Sequence, residues 1–227
     1  MSEAVKSMFA RIAGRYDLLN RVLSAGLDVR WRRSALALLR GRPGQVLDLA
    51  CGTFDLSLAA LAQGKAVQVH GCDFCAPMLT AGAAKRSGRA VTAAVGDALH
   101  LPYADASFDA ALVAYGWRNF GDPGAALAEL RRVLRPGGQL LVLEFFRPGG
   151  GAWWPRTFYA TFGKAVFPTA GALLAGDAGA YRYLNDSIAR FLTLPEARSL
   201  LTRHGFPGQR WLPLAGGISH AVAADRP

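Results

Sequence analysis

The sequence predicts an α/β fold on a mostly parallel sheet, and three observations carry that expectation. The run Val46-Leu47-Asp48-Leu49-Ala50-Cys51-Gly52-Thr53-Phe54-Asp55 reads as a buried strand, a tight turn and the opening of a helix. Asp73 closes the next apolar stretch, 25 residues after Asp48, close to the separation at which a ribose-binding carboxylate follows a first strand. Strand-like and helix-like segments then alternate over about 100 residues, as they do in parallel sheets with right-handed crossovers.

Each element has its own signal. Phe9, Ile12, Ala13, Tyr16, Leu19 and Leu23 recur at helical spacing, so the first 25 residues form one amphipathic helix or two. A further helix is expected over Arg30–Leu39, ended by Gly41 and Pro43. Strands follow at Gln45–Ala50, Val67–Asp73, Val91–Gly96, Ala110–Tyr115 and Gln139–Phe145, with helices at Asp55–Ala62, Pro77–Lys85 and Gly124–Val133 between them. Pro136-Gly137-Gly138 reads as the turn that launches the fifth strand. Beyond Phe146, Arg147-Pro148-Gly149-Gly150-Gly151 is hinge-like and leads into an aromatic stretch, Trp153 to Phe167. Helices at Ala178–Phe191 and Leu194–Arg203 come next, then two terminal strands at Gln209–Pro213 and Ile218–Ala224. The expected division is a helical cap over 1–43, a ligand-binding core over 44–146, a helical and aromatic lid over 147–206 and terminal strands over 207–227.

The turn at Gly52 lets a ligand approach the main chain closely, because glycine carries no Cβ. A dinucleotide fingerprint would need two further glycines, and Phe54 and Ser57 stand there instead. No phosphate-cradling loop ending in Lys-Ser/Thr is present. A nucleoside without a pyrophosphate therefore fits better than NAD or ATP, and the Asp73 carboxylate has acceptor sites for a ribose diol. A generic βαβ unit with a glycine turn is the plainer alternative.

Composition narrows the partners. The chain has 227 residues, 52% of them hydrophobic and 19% charged, which suits one globular domain with a large core. Its net charge of +10 comes mostly from scattered arginines, with no basic run and no nucleic-acid motif, so nucleic acid is not expected as a partner. Cys51, Cys72 and Cys75 lack the spacing of a zinc site, and no metal is expected. The odd cysteine count and an N-terminus without a secretion pattern point to the cytoplasm. The longest apolar run, Ala165–Gly176, is 12 residues and holds Pro168, too short to span a membrane.

Several motifs go beyond a bare βαβ unit. They are Met8-Phe9-x-x-Ile12-Ala13-x-x-Tyr16-Asp17-Leu18-Leu19-Asn20, Leu27-Asp28-x-x-Trp31-Arg32, Asp73-Phe74 with Pro77-Met78-Leu79, and Gly96-Asp97-Ala98. Ser107-Phe108-Asp109, Gly116-Trp117-Arg118-Asn119-Phe120, Arg132-Val133-Leu134-Arg135-Pro136-Gly137-Gly138, Leu143-Glu144-Phe145, Ala180-Tyr181-Arg182-Tyr183-Leu184 and Gly216-Gly217-Ile218 complete them. With these in place the chain resembles the class I S-adenosylmethionine-dependent methyltransferases. Within them it resembles the ubiquinone/menaquinone biosynthesis C-methyltransferase family over nearly its whole length.

The resemblance implies a Rossmann-like, mostly parallel seven-stranded sheet with helices on both faces, an N-terminal helical cap and a helical lid before the last two strands. It implies S-adenosylmethionine as methyl donor, S-adenosylhomocysteine as product, and cofactor contacts from Asp48, Gly52, Thr53, Asp73, Phe74, Met78, Asp97, Ala98 and Ala114. It implies C-methylation of a polyprenyl quinol, demethylmenaquinol or the related ubiquinone precursor, in a cytoplasmic enzyme with peripheral contact to the inner membrane. A homodimer is compatible with it. Ring methylation needs a positive group for the developing phenolate, a role that falls to Arg118, with Asn119 and Tyr16 completing the cluster. Asp17 and His220 are secondary candidates for the base, and a structural Arg118 paired with Asp122 is the plain alternative.

Two positions depart from the family pattern. Phe54 replaces the usual glycine and is expected to crowd the methionine end of the cofactor. Ala114 stands where a serine is common and removes one hydrogen bond. Another phenolic or lipid acceptor is one competing reading, and a catalytically silent scaffold, kept open by Phe54, is another.

Overall fold

A computed structural model describes residues 3–149 and 178–227. The N-terminal segment forms α1 (Glu3–Ile12) and α2 (Tyr16–Leu23), joined by a short 3-10 turn, and then α3 (Leu27–Leu36). The third helix starts before Arg30 because Gly26, at φ +77°, turns the chain just ahead of Leu27.

The core alternates β1 (Gln45–Leu49), α4 (Asp55–Ala62), β2 (Gln68–Asp73), α5 (Ala76–Ala81), α6 (Ala83–Arg86), β3 (Val91–Val95), β4 (Phe108–Ala114), α7 (Pro123–Val133) and β5 (Leu134–Glu144). The helix expected over Pro77–Lys85 is two short helices that meet at Gly82. The fifth strand starts at Leu134, not Gln139, because Leu134 pairs with Phe108 and the Arg135–Gly138 turn is carried as an irregularity in the ladder. After the undescribed segment come α8 (Ala178–Arg190), α9 (Leu194–Arg203), β6 (Gln209–Leu214) and β7 (Ser219–Asp225). The hinge end and the aromatic stretch Trp153–Phe167 lie outside the described residues.

The strands form one seven-stranded sheet in the order β3-β2-β1-β4-β5-β7-β6, with β7 antiparallel to both neighbours. Successive residues feed opposite faces. Leu47, Leu49, Ala111, Val113, Leu140 and Val142 pack with α7 and α9, while Val46, Ala110, Leu112, Leu141 and Leu143 pack with α3 and α4. Both faces are covered, which is why these strands read as continuous apolar runs. The order reverses direction at β1, with β2 on one side and β4 on the other. The crevice above the strand ends at that point is where open α/β sheets bind ligands.

Candidate active site

Two cavities meet at Tyr16 and Tyr115 above those strand ends. The first, about 600 Å³, is walled by Ala50, Gly52, Asp73, Phe74, Met78, Asp97, Ala98, Ala114 and Asn119, with Phe9 and Phe120 at its sides. Seven of the nine residues expected to hold the cofactor are on this wall.

Its floor is the turn after β1. Ala50, Gly52 and Phe54 all have positive φ, +56°, +54° and +68°. The left-handed region disfavours side chains, so strain is concentrated where the chain approaches the cavity. A Cβ at Gly52 would lie 3.3 Å from Met78 Cε, which makes that turn a place for glycine. Asp73 ends β2 beneath it. One of its oxygens accepts from Gly52 N at 2.9 Å and the other from Cys75 N at 2.8 Å. Burial raises its pKa, and the two main-chain donors work against the rise. A carboxylate oxygen has two lone pairs, so each retains one for a ligand hydroxyl.

Two expected contacts do not reach this wall. Asp48 lies under the turn and accepts from Ser57 Oγ at 2.5 Å, because a residue in the middle of a doubly covered strand cannot face the crevice. Its carboxyl is pushed up to about 7 by burial, against the Ser57 hydrogen bonds. Thr53 is also buried, and its hydroxyl donates to Asp17 at 2.5 Å. Asp17 in turn binds Lys85 at 2.7 Å, and neither it nor His220 lines either cavity.

The crowding expected from Phe54 does not occur. Its ring is fully buried in the core, under the sheet end. A Cβ on Gly71 would fall 2.7 Å from this ring, and one on Gly82 would fall 2.6 Å from it. Two glycines thus vacate the volume the phenyl ring fills, and Arg86 lies over its face at 5.5 Å.

The second cavity, about 720 Å³, lies between the cap helices and the strand ends. Leu23, Trp31, Phe145, Leu184, Ile188 and Ile218 give it an apolar lining, while Asn20, Asp28, Arg32 and Arg118 supply polar groups. Phe145 stacks on Tyr115 at 4.7 Å, and Trp31 meets Phe145 edge-on at 6.1 Å. Aromatic walls with a few placed polar groups suit a flat ring.

Arg118 and Asn119 sit on the 3-10 turn after β4 and divide the cavities between them, Arg118 on the second and Asn119 on the first. The Arg118 guanidinium donates to Glu144 at 2.6 Å, to the Tyr115 carbonyl at 2.7 Å and to Ser187 at 3.2 Å. Its Nη2 has no hydrogen-bond partner among the described residues. Burial works against its charge, but Glu144 and Tyr16 hold its pKa above the usual value. Asp122, the carboxylate weighed as its partner, instead caps α7 by accepting from Gly124 N and Ala125 N. Tyr16 borders both cavities, and burial raises its pKa, with Asn20, Arg118 and Arg32 opposing.

The sequence reading missed Glu144, Arg32 and Tyr115. Arg32 is buried on the second cavity and binds Asp28 at 2.5 Å and Asp55 at 3.5 Å. An acid closing the apolar run Leu140–Leu143, as Glu144 does at the end of β5, was the available signal.

Known proteins resemble this chain over nearly its whole length. A demethylmenaquinone methyltransferase of Thermus thermophilus is 43% identical over 223 residues, 97% of this chain and 100% of that one. Its counterpart in Deinococcus radiodurans is 42% identical over 227 residues, covering 99% and 93%. Among solved structures, a SAM-dependent methyltransferase of Thermotoga maritima, described as a possible histamine N-methyltransferase, matches with TM-score 0.71 at 20% identity, over 97% of this chain and 99% of that one. The [4+2]-cyclase SpnF matches with TM-score 0.70 at 17% identity, over 98% and 95%. These two likenesses are of fold alone, since one fold carries unrelated activities. The relatives match along the entire crevice-bearing chain, and so does the model of the ubiE/COQ5 methyltransferase family, from residue 1 to residue 224; the chain belongs to that family.

Proposed function

We propose that this enzyme transfers a methyl group from S-adenosylmethionine to a ring carbon of demethylmenaquinol, the step named for its relatives in Thermus and Deinococcus. The observation that carries the reading is the pair of cavities joined at Tyr16 and Tyr115, one built for a nucleoside and one for a flat, oxygen-bearing ring.

The first cavity fits the donor. Asp73, with one acceptor site left on each oxygen, would take the ribose hydroxyls, Asp97 and Ala98 would flank the adenine, and Gly52 and Met78 would face the rest of the molecule. When bound, the donor supplies a methyl group on a sulfonium, whose carbon–sulfur bond breaks with its electron pair left on sulfur.

The protein positions the acceptor and manages its charge. Aligning the ring carbon with the methyl group removes most of the entropic barrier. Arg118 Nη2 would hold the phenolate oxygen that forms as the quinol hydroxyl gives up its proton, which an Arg118-oriented water relays to the solvent. Arg118 stays protonated, so it stabilises and orients but does not take the proton. The ring pushes an electron pair into the new carbon–carbon bond, and that carbon then loses its hydrogen as a proton to water while the ring oxygen takes one back, so the aromatic quinol is restored and one proton in all passes to the solvent. Asn119 and Tyr16 set the boundary between the two reactants. Because the acceptor carries a lipid tail, the proposal includes contact with the inner membrane surface; among the described residues no helix is long and apolar enough to cross a membrane.

Incubating the purified enzyme with S-adenosylmethionine and a short-tailed demethylmenaquinol tests the proposal. Mass spectrometry is expected to show one added methyl group and an equal amount of S-adenosylhomocysteine. Donor binding without methyl incorporation would overturn it. Phe54 was the reason to consider a silent scaffold, and its ring lies in the core.

A further inference from the structure

A third cavity, about 470 Å³, opens off the second between α1, α2 and α8. Tyr16, Asn20, Leu23, Arg118 and Leu184 belong to both walls, so the two spaces adjoin along these side chains. The residues that line the third cavity alone are Met8, Ile12, Leu19 and Tyr183, while Phe9 is shared with the first. No charged or amide side chain is among them. Tyr183 is the one polar group, and its hydroxyl is already committed to Asn119 Oδ1 at 2.9 Å. The polar groups of the combined site are therefore gathered at the ring end. Beyond Asn20 and Arg118, which it shares with the second cavity, the extension offers hydrocarbon and aromatic surface, which rewards an apolar occupant and disfavours a polar one.

We infer that this cavity is a binding subsite for the acceptor's isoprenoid tail, taking the first isoprene units as they leave the ring. The inference rests on the proposed reaction and adds to it where the tail runs: past Tyr16 and Arg118, between α1 and α2. An acceptor seated this way has its ring oxygen at Arg118 and its tail in a channel that a tail-less quinol leaves unused. The tail then contributes to binding and not to the chemical step, because it lies in the same place before and during methyl transfer.

The test compares two acceptors, a naphthoquinol with two isoprene units and the same naphthoquinol without a side chain. Met8→Trp fills the cavity from α1. It is expected to raise KM for the prenylated quinol about tenfold, at nearly constant kcat, and to leave both constants for the tail-less quinol unchanged. Ile12→Phe fills it from the next turn of α1 and is expected to act in the same direction. S-adenosylhomocysteine affinity, measured by calorimetry, reports that each variant is folded, because neither side chain touches the first cavity. Equal shifts for the two quinols, or no shift for the prenylated one in either folded variant, would overturn the subsite while leaving the reaction intact. A wild-type enzyme that methylates neither quinol would overturn the reaction and the subsite with it.

Discussion

Glu144 holds Arg118 at two points, accepting from its guanidinium at 2.6 Å and from its main-chain nitrogen at 3.2 Å, with both side chains almost wholly buried. The strand that carries Glu144 thereby fixes the turn that carries Arg118 and aims the remaining guanidinium nitrogen. Burying two charges is costly, and keeping one without the other costs about 3–5 kcal/mol. Glu144 is accordingly a positioning residue.

Arg118→Lys keeps the charge but loses the planar fork that binds Glu144, Tyr115 and the substrate oxygen together. Its kcat is expected to fall about 10²-fold, the usual loss for one preorganised donor, with donor affinity unchanged. Steady-state kinetics beside calorimetry check this. Wild-type turnover in folded Arg118→Lys would remove the guanidinium from the mechanism.

Phe54 sets two effects against each other. Its left-handed backbone, at φ +68°, costs about 1–2 kcal/mol for a side-chain-bearing residue. Its ring fills space left by Gly71 and Gly82, and deleting a buried phenyl ring costs about 3–5 kcal/mol. The packing effect is the larger, so Phe54→Gly is expected to lose about 2 kcal/mol in urea unfolding despite the relieved backbone. Donor affinity should hold, because the ring is not on the cavity wall. A gain in stability would show that the strain had been the greater.

These outcomes bear on what could be read from residues alone. Gly52 and Asp73 were legible because they are set by local spacing, a turn residue and an acid at the end of the next strand. Ala98, Met78 and Asn119 came only with the family resemblance, whose motifs are of the same short range. The position of the Phe54 ring was not legible, since it depends on two glycines 17 and 28 residues further on whose missing side chains make room. The Arg118–Glu144 pair spans 26 residues and two strand ends, and a local reading offered Asp122 in its place. The family resemblance put Thr53 on the wall, but its hydroxyl is turned toward Asp17.

Asp48 makes folding depend on pH. Its folded-state pKa, about 7, lies above the ordinary 3.8, so the native state holds a proton that the unfolded chain has lost. Stability from this group is full below about pH 4 and falls as pH rises toward 7. Asp48→Asn, which keeps a partner for Ser57, is expected to raise Tm relative to wild type at pH 8 and to change it little at pH 4. A difference between the two proteins that is flat from pH 4 to pH 8 would show that Asp48 ionises normally.

Asp73→Asn tests the grip on the donor. The amide keeps one acceptor oxygen and places an NH2 group against either Gly52 N or Cys75 N, which are both donors. A charge-assisted hydrogen bond is worth about 1.5–3 kcal/mol, so S-adenosylhomocysteine affinity is expected to fall at least tenfold by calorimetry. The quinol KM should stay within a few-fold at saturating donor, because Asp73 does not line the second cavity. Unchanged affinity would remove Asp73 from the ribose.

Lys85 links the two halves of the site. Its ammonium lies 2.7 Å from Asp17 on α2 and 2.5 Å from Asp55 at the start of α4. Asp17 takes the Thr53 hydroxyl, and Asp55 reaches Arg32 on the second cavity at 3.5 Å. One chain of charges therefore ties the helix that walls the acceptor to the turn that floors the donor. Lys85 is partly exposed, so its pairs are individually modest, about 0.2–1 kcal/mol each, and weakened by salt. Lys85→Met leaves Asp17 and Asp55 facing each other without their shared cation. Donor affinity and quinol KM are expected to worsen together, each about three-fold, at low salt. The gap between wild type and variant should narrow in about 0.5 M salt, where screening has already loosened the wild-type link. If only one of the two constants moves, the charges serve one cavity and do not join them.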